Sequence, residues 1–246
     1  IYPSQIWVME GSNNNTIEDN IISGLQGDEV SCTGIRSLYS YNNIYRNNTL
    51  TGFRVHILLS YSNGNIVNGN DISGMREFEE ENGGGVVIFN GNNNTVINNK
   101  IDSVSDGGII VFGASCNSLI QSNIITRTNH GIEVYYESDN TSIINNTVQG
   151  SQLGIILDNV INSRVYANNF INCDKNAFDD NNNIWNLNEI GNYWGGNYNK
   201  EMSDSGYVIK PFAMDFSPQE EMIPITKVDE PLMIQDTVTM YQGEIV

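Results

Sequence analysis

Glu133 and Asp158 are the pair of carboxylates best placed to do chemistry in this chain. They lie on two similar segments, Glu133 at the middle of "GIEVY" (131–135) and Asp158 at the end of "GIILD" (154–158). A glycosidase needs one carboxylic acid to protonate the leaving oxygen and a second carboxylate as base or nucleophile. If the two segments are neighbouring strands, residues two positions apart would place the carboxyl groups about 6–8 Å from each other. Asp180 occupies the place of Asp158 one segment further on. Aligning the segments also gives an outward column of Phe89, Phe112 and Tyr135 leading into Asp158 and Asp180, with Leu38 and Ser60 before it. Its neighbour runs Arg36, Leu58, Val87, Ile110, Glu133, Ile156 and Phe178. Water-facing strand positions do not need such apolar residues, so a covered or ligand-contacting face is expected there. Asp106, His130 and Asp174 fall near one edge of the same face, and Asp106 and His130 join the candidate substrate contacts.

These positions matter only if the chain repeats, and it does. "TIEDNIISG" (16–24), "IYRNNTLTG" (44–52), "IVNGNDISG" (66–74), "TVINNKIDS" (95–103), "LIQSNIITR" (119–127), "SIINNTVQG" (142–150), "RVYANNFIN" (164–172) and "IWNLNEIGN" (184–192) superimpose without gaps. Their fifth residue is always asparagine: Asn20, Asn48, Asn70, Asn99, Asn123, Asn146, Asn168 and Asn188. Their seventh is always apolar: Ile22, Leu50, Ile72, Ile101, Ile125, Val148, Phe170 and Ile190. Between them lie period-two segments such as "GVVIF" (85–89) and "GIIVF" (108–112), which read as strands. A repeat of about 22 residues with short strands and Asn/Gly turns predicts an all-β fold, a right-handed single-stranded parallel β-helix of about eight coils. Stacked asparagines would bond up the column and tolerate the left-handed backbone of a tight corner. Eight copies of one residue are a structural device, since a catalytic residue is needed once.

The rungs resemble the right-handed parallel β-helix repeat proteins, a group that includes carbohydrate-binding and sugar-hydrolase domains and NosD-like periplasmic and archaeal surface proteins. The likeness covers roughly residues 6–192. "IWNLNEIGNYWGGNY" (184–198) is similar to the Gly-Asn-Tyr-Trp stretch that closes many NosD-like repeats, and "DFSP" (215–218) to their terminal Asp-x-x-Pro. The group often carries an Asp-rich, calcium-loop-like segment between these points. Here "NKEMSDSGYVIKPFAMD" (199–215) keeps Asp204 and Gly206 of it, and calcium is the one cofactor that the resemblance raises. No metal site is expected elsewhere: His56 and His130 lie on distant coils, and no Met-rich or His-rich copper cluster is present.

The coils should end near Asn199, because asparagine is absent from Lys200 onward and four of the five prolines lie there. Residues 1–199 are thus expected to form the β-helix, and 200–246 a cap or extended tail or the start of a further domain. Tyr193, Trp194 and Tyr198 are expected to cover the last coil, with Trp194 also a candidate sugar-stacking residue. The coil is lengthened at "QGDEVSCT" (26–33) and "GMREFEEENGG" (74–84), and these loops would wall a groove beside the strands.

Charge narrows the partners. With 11 basic and 29 acidic residues, a formal net charge of −18 opposes nucleic acid and anionic membranes. A hydrophobic content of 39% is too high for a disordered acidic chain. No apolar run of about 18 residues and no charged start before an apolar core occur, so neither membrane insertion nor a signal peptide is expected. Cys32, Cys116 and Cys173 lack metal or redox spacing. Three functions remain open: a secreted or envelope protein that binds polysaccharide or builds a surface layer, a polysaccharide hydrolase or lyase, and a self-assembling protein. Assembly would use the outer apolar strip or an open solenoid end. A lyase would need a cation and base, and Arg36, Arg54, Arg127 and Lys175 are scattered over different coils.

Overall fold

The computed structural model describes residues 4–24, 33–74, 83–195, 207–209 and 213–228. All its regular elements are strands; most form three parallel sheets that the chain visits in turn, and Tyr207–Ile209 and Ala213–Asp215 pair as a separate antiparallel ribbon. The fold is the expected parallel β-helix. Its longest sheet has eight strands and the two shorter sheets seven each, so the expected count of eight holds for one face only. The long sheet consists of Ser4–Val8, Thr33–Leu38, Val55–Ser60, Gly84–Phe89, Gly107–Phe112, His130–Tyr135, Leu153–Asp158 and Lys175–Asp179.

The inner faces are columns of branched apolar side chains. On the long sheet one column runs Ile35, Ile57, Val86, Ile109, Ile132, Ile155 and Ala177. Opposite stand Ile22, Leu50, Ile72, Ile101, Ile125, Val148 and Phe170, the apolar residues of the sequence repeat. All are buried, and each isoleucine contributes about 1.5–3 kcal/mol by leaving water. Where these residues approach the long sheet, most coils carry glycine. A Cβ at Gly108 would lie 2.5 Å from Ile125, and one at Gly131 2.4 Å from Val148.

The corners are held by asparagine. From Asn20 through Asn48, Asn70, Asn99, Asn123, Asn146 and Asn168, the backbone N–H and side-chain amide of each donate to Oδ1 of the next at 2.9–3.1 Å. The preceding residue has a left-handed backbone in most coils, as at Asn47, Asn98 and Asn145. The eighth step is a correction: Asn168 donates to Asn192, not to Asn188. Leu187 and Ile190 exchange two backbone hydrogen bonds around Asn188 and Glu189, both left-handed, so a tight two-residue turn is inserted. The last repeat therefore aligns with the others only if that turn is looped out, which moves the ladder asparagine by four residues.

The ladder ends on a buried carboxylate. Asn192 donates its N–H to Asp215 Oδ2 at 2.7 Å, and Trp194 Nε1 donates to the same oxygen at 3.0 Å. A second corner ladder, Asn15, Asn43, Asn65 and Asn94, passes lower down to Thr141, Ser163 and Asn183. It ends in the same way: Asp179 accepts from Asn183 and from Trp185 Nε1. Trp194 stacks on Phe170 with ring centroids 4.6 Å apart, and Trp185 packs against Trp194. Two tryptophan–aspartate pairs thus close the core at this end. Beyond the cap the chain turns back along the coils, with Gln219 bonded to Asn192, Ile223 to Asn169, Thr226 to Ser122 and Val228 to Asn98.

Replacing Asn123 by Ala strands the Asn99 N–H, the Val96 carbonyl and the amide bond to Asn146 inside the corner. A loss of about 2–4 kcal/mol is expected in urea unfolding, whereas Asn188→Gly, which keeps the left-handed turn accessible, should stay within about 0.5 kcal/mol of the wild type. Burial raises the Asp215 carboxyl above its ordinary range, against hydrogen bonds that lower it. A raised folded-state value means that the folded chain takes up the proton first, so the Asp215 contribution grows as pH falls toward the ordinary aspartate range. The cost of Asp215→Asn, measured by denaturation, should accordingly be larger near pH ~4 than near pH ~7.

Candidate functional site

The outward columns of the long sheet have the expected register. Arg36, Leu58, Val87, Ile110, Glu133, Ile156 and Phe178 are successive partners, and Ser60, Phe89 and Phe112, then Tyr135 and Asp158, align beside them. Val87 and Ile110 are buried although they point outward, because they fold over Gly84, where a Cβ would come within 2.9 Å of Val87 and 3.1 Å of Ile110.

Phe89, Phe112 and Tyr135 belong to a longer aromatic column. Tyr39, Tyr61, Phe89, Phe112, Tyr135 and Tyr136 follow one another with ring centroids 4.7–5.3 Å apart. The three additional tyrosines come from the position just past each strand. Backbone bonding there places Tyr39, Tyr61, Asn90, Gly113, Tyr136 and Asn159 in one column, all with φ between 48° and 72°. Asparagine and glycine suit that conformation, whereas a tyrosine there costs about 1–2 kcal/mol. Tyrosine at a position where the other coils carry Asn or Gly is the signal that would have identified these three. Phe112 and Tyr135 are stacked and Phe89 and Phe112 tilted by 33°, whereas Tyr61 meets Phe89 edge to face. Tyr136, edge-on to Tyr135 and 63% exposed, presents a free face.

The candidate carboxylates separate into two groups. At the start of the strand, His130 Nδ1 lies 2.9 Å from Glu133 Oε1 and 3.7 Å from Asp106 Oδ1. Glu133 reaches back over Gly107, whose missing side chain makes the room, since a Cβ there would stand 2.7 Å from Glu133 Oε1. Beside this group the Tyr135 hydroxyl is pushed up to about 12 by burial and then by the charges of Glu133 and Asp106. At the far end of the strand, Asp158 is raised by burial and then by Asp180. Asp180 itself accepts the Asn159 N–H and the Asn181 amide.

Other candidates lie elsewhere. Trp194 is wholly buried in the cap and has no face for a sugar, which corrects its reading as a substrate contact. His56 is buried in the glycine column, bonded to the carbonyls of Ser73, Gly74 and Gly84, and burial lowers its pKa. Arg127 pairs with Asp102 and, with Asp174, lines a shallow pocket of about 290 Å³ at the edge next to His130. Arg36 lies over Trp7 and Lys175 over Phe178. Cys116 and Cys173 are free thiols. The loop carboxylates at 77–81, the lengthened loop at 26–32, Cys32, Tyr198, Asp204 and Gly206 lie outside the described residues. No helix among the described residues is long and apolar enough to cross a membrane.

The model of the NosD family, described as periplasmic copper-binding protein, matches residues 4–112 and 77–201. The chain belongs to the NosD family. Among solved structures, this NosD-family chain is similar to the A-module of the mannuronan C-5 epimerase AlgE6 of Azotobacter vinelandii, at 19% identity over 70% of this chain and 63% of that one, with a TM-score of 0.43. It is also similar to PfbA, a surface adhesin of Streptococcus pneumoniae, at 13% identity over 64% and 58% of the two chains, with a TM-score of 0.36. The chain therefore spans less than two thirds of either relative's length. No curated protein gives a significant match.

Gly107→Ala should cost about 1–3 kcal/mol in denaturant unfolding. Its Cβ would meet Ile110 at 2.5 Å as well as the Glu133 carboxylate.

Proposed function

We propose that this chain is a cell-envelope β-helix protein that holds polysaccharide along the outer face of its long sheet. The aromatic column from Tyr39 to Tyr136 carries this reading. Three of its tyrosines occupy a left-handed position that the coils elsewhere give to Asn or Gly, so aromatic surface is maintained there against a conformational cost. Coils stack about 4.8 Å apart, close to the length of one hexose in an extended chain. Successive sugars would meet successive rings and the face of Tyr136, with tyrosine hydroxyls and the flanking carboxylates as polar partners. The net charge of −18 favours neutral or cationic glycans over polyanions unless a cation intervenes.

A second reading, cleavage of the bound glycan, draws on Asp158. Its raised carboxyl and the neighbouring Asp180 suit a general acid beside a carboxylate. Copper enters only through the description of the family. Cuprous ions favour thiolate and thioether donors, whereas Cys116 and Cys173 each meet backbone carbonyls, and the ligand cluster among the described residues has one imidazole and two carboxylates. These donors do not fit a cuprous site, and no role in copper delivery is proposed.

Binding to a panel of neutral, amino and acidic polysaccharides tests the main reading. Tyr136→Asn installs the residue found at Asn90 and Asn159, so stability should stay within about 0.5 kcal/mol of the wild type while glycan affinity falls about tenfold. Unchanged affinity for every glycan that the wild type binds would overturn it. For cleavage, Asp158→Asn should abolish the release of reducing ends while binding persists.

A further inference from the structure

We propose that Asp106, His130 and Glu133 form a binding site for one divalent first-row metal ion. The site uses the start of the His130–Tyr135 strand and the turn one coil earlier, and it does not depend on glycan binding. The three side chains offer one imidazole nitrogen and two carboxylate oxygens, all within 4.8 Å of one another. Around an ion with bonds of about 2.1 Å, adjacent ligand atoms lie about 3.0 Å apart in octahedral and about 3.4 Å in tetrahedral geometry. The separations of 2.9 and 3.7 Å from His130 Nδ1 bracket those values.

A cation at the shared point meets all three ligands at once and offsets the repulsion between two carboxylates held together in partial burial, where Glu133 is only 12% exposed. The space belongs to these groups, since Gly107 leaves open the volume that a Cβ would fill against Glu133 Oε1.

The mixed nitrogen and oxygen set suits zinc, manganese or ferrous ions. It is a poor match for calcium, which takes six to eight oxygen ligands. Three protein ligands leave coordination positions open, where solvent or a hydroxyl or carboxylate of a bound molecule could enter.

Isothermal titration of Zn²⁺ into the full chain, stripped with chelator at about pH 7, tests the site. One equivalent should bind and raise the Tm of the wild type. His130→Ala and Glu133→Gln should each weaken that binding at least tenfold and remove the Tm increase, with the circular dichroism of the β-fold retained. Asp19→Asn, an exposed carboxylate elsewhere, should change neither. Mn²⁺ should show the same dependence in its paramagnetic resonance spectrum, and Ca²⁺ should not displace Zn²⁺. Binding well below one equivalent, or binding that survives both His130→Ala and Glu133→Gln, would overturn the proposal and leave the cluster as a histidine ion pair.

Discussion

The hydrogen bond from one asparagine to the asparagine of the next coil is the interaction on which the rest of this molecule depends. Each ladder residue gives its backbone N–H and side-chain amide upward to one oxygen, and several also give the amide to backbone carbonyls within the corner. A buried corner whose backbone donors would otherwise be stranded becomes satisfied, and each coil is locked in register with its neighbours. That register aligns the inner isoleucines into columns and, on the outside, places ring above ring and carboxylate above histidine. A ladder cannot terminate in mid-air without leaving a donor unpaired. Asp215 and Asp179 supply the final acceptors, and the tryptophans that bond to them seal the apolar core with the same atoms.

Much of this scaffold was legible in the chain because its signal is periodic. Asn20 to Asn168 and their apolar partners stand where the repeats place them, and the outward columns followed from simple alternation. The failures have a common physical cause: they lie where periodicity breaks. Asn188 matched the repeat by letter, but a two-residue turn displaces the ladder to Asn192. Asp179 sits in a column of inward apolar residues, and only its contact with Trp185 and Asn183 shows why a carboxylate is tolerated there. Asp215 and the returning segment from Gln219 to Val228 contact residues up to 130 positions away, a relation that no local pattern encodes.

The outer face was legible in outline and incomplete in content. Strand alternation identified Phe89, Phe112, Tyr135, Glu133 and Asp158, yet it treated the residue after each strand as turn. Tyr39, Tyr61 and Tyr136 are turn residues by backbone and members of the aromatic column by side chain. The acidic groups likewise divide by side-chain direction, which spacing does not reveal: Glu133 folds back over Gly107 toward His130 and Asp106, while Asp158 turns to Asp180. Rigid coils thus carry a surface whose features are set by where each side chain leans, and the ladder holds that surface fixed.

The proposed function makes the outer face of the long sheet the working surface of a frame that the ladder holds rigid. A crystal structure of the chain with an oligosaccharide drawn from a polysaccharide that it retains tests this most directly. The account predicts sugar density running along the coil axis beside Tyr61, Phe112 and Tyr136, with the asparagine corners unchanged. Density confined to either of the other two sheets, or to the capped end beside Trp185 and Trp194, would contradict it.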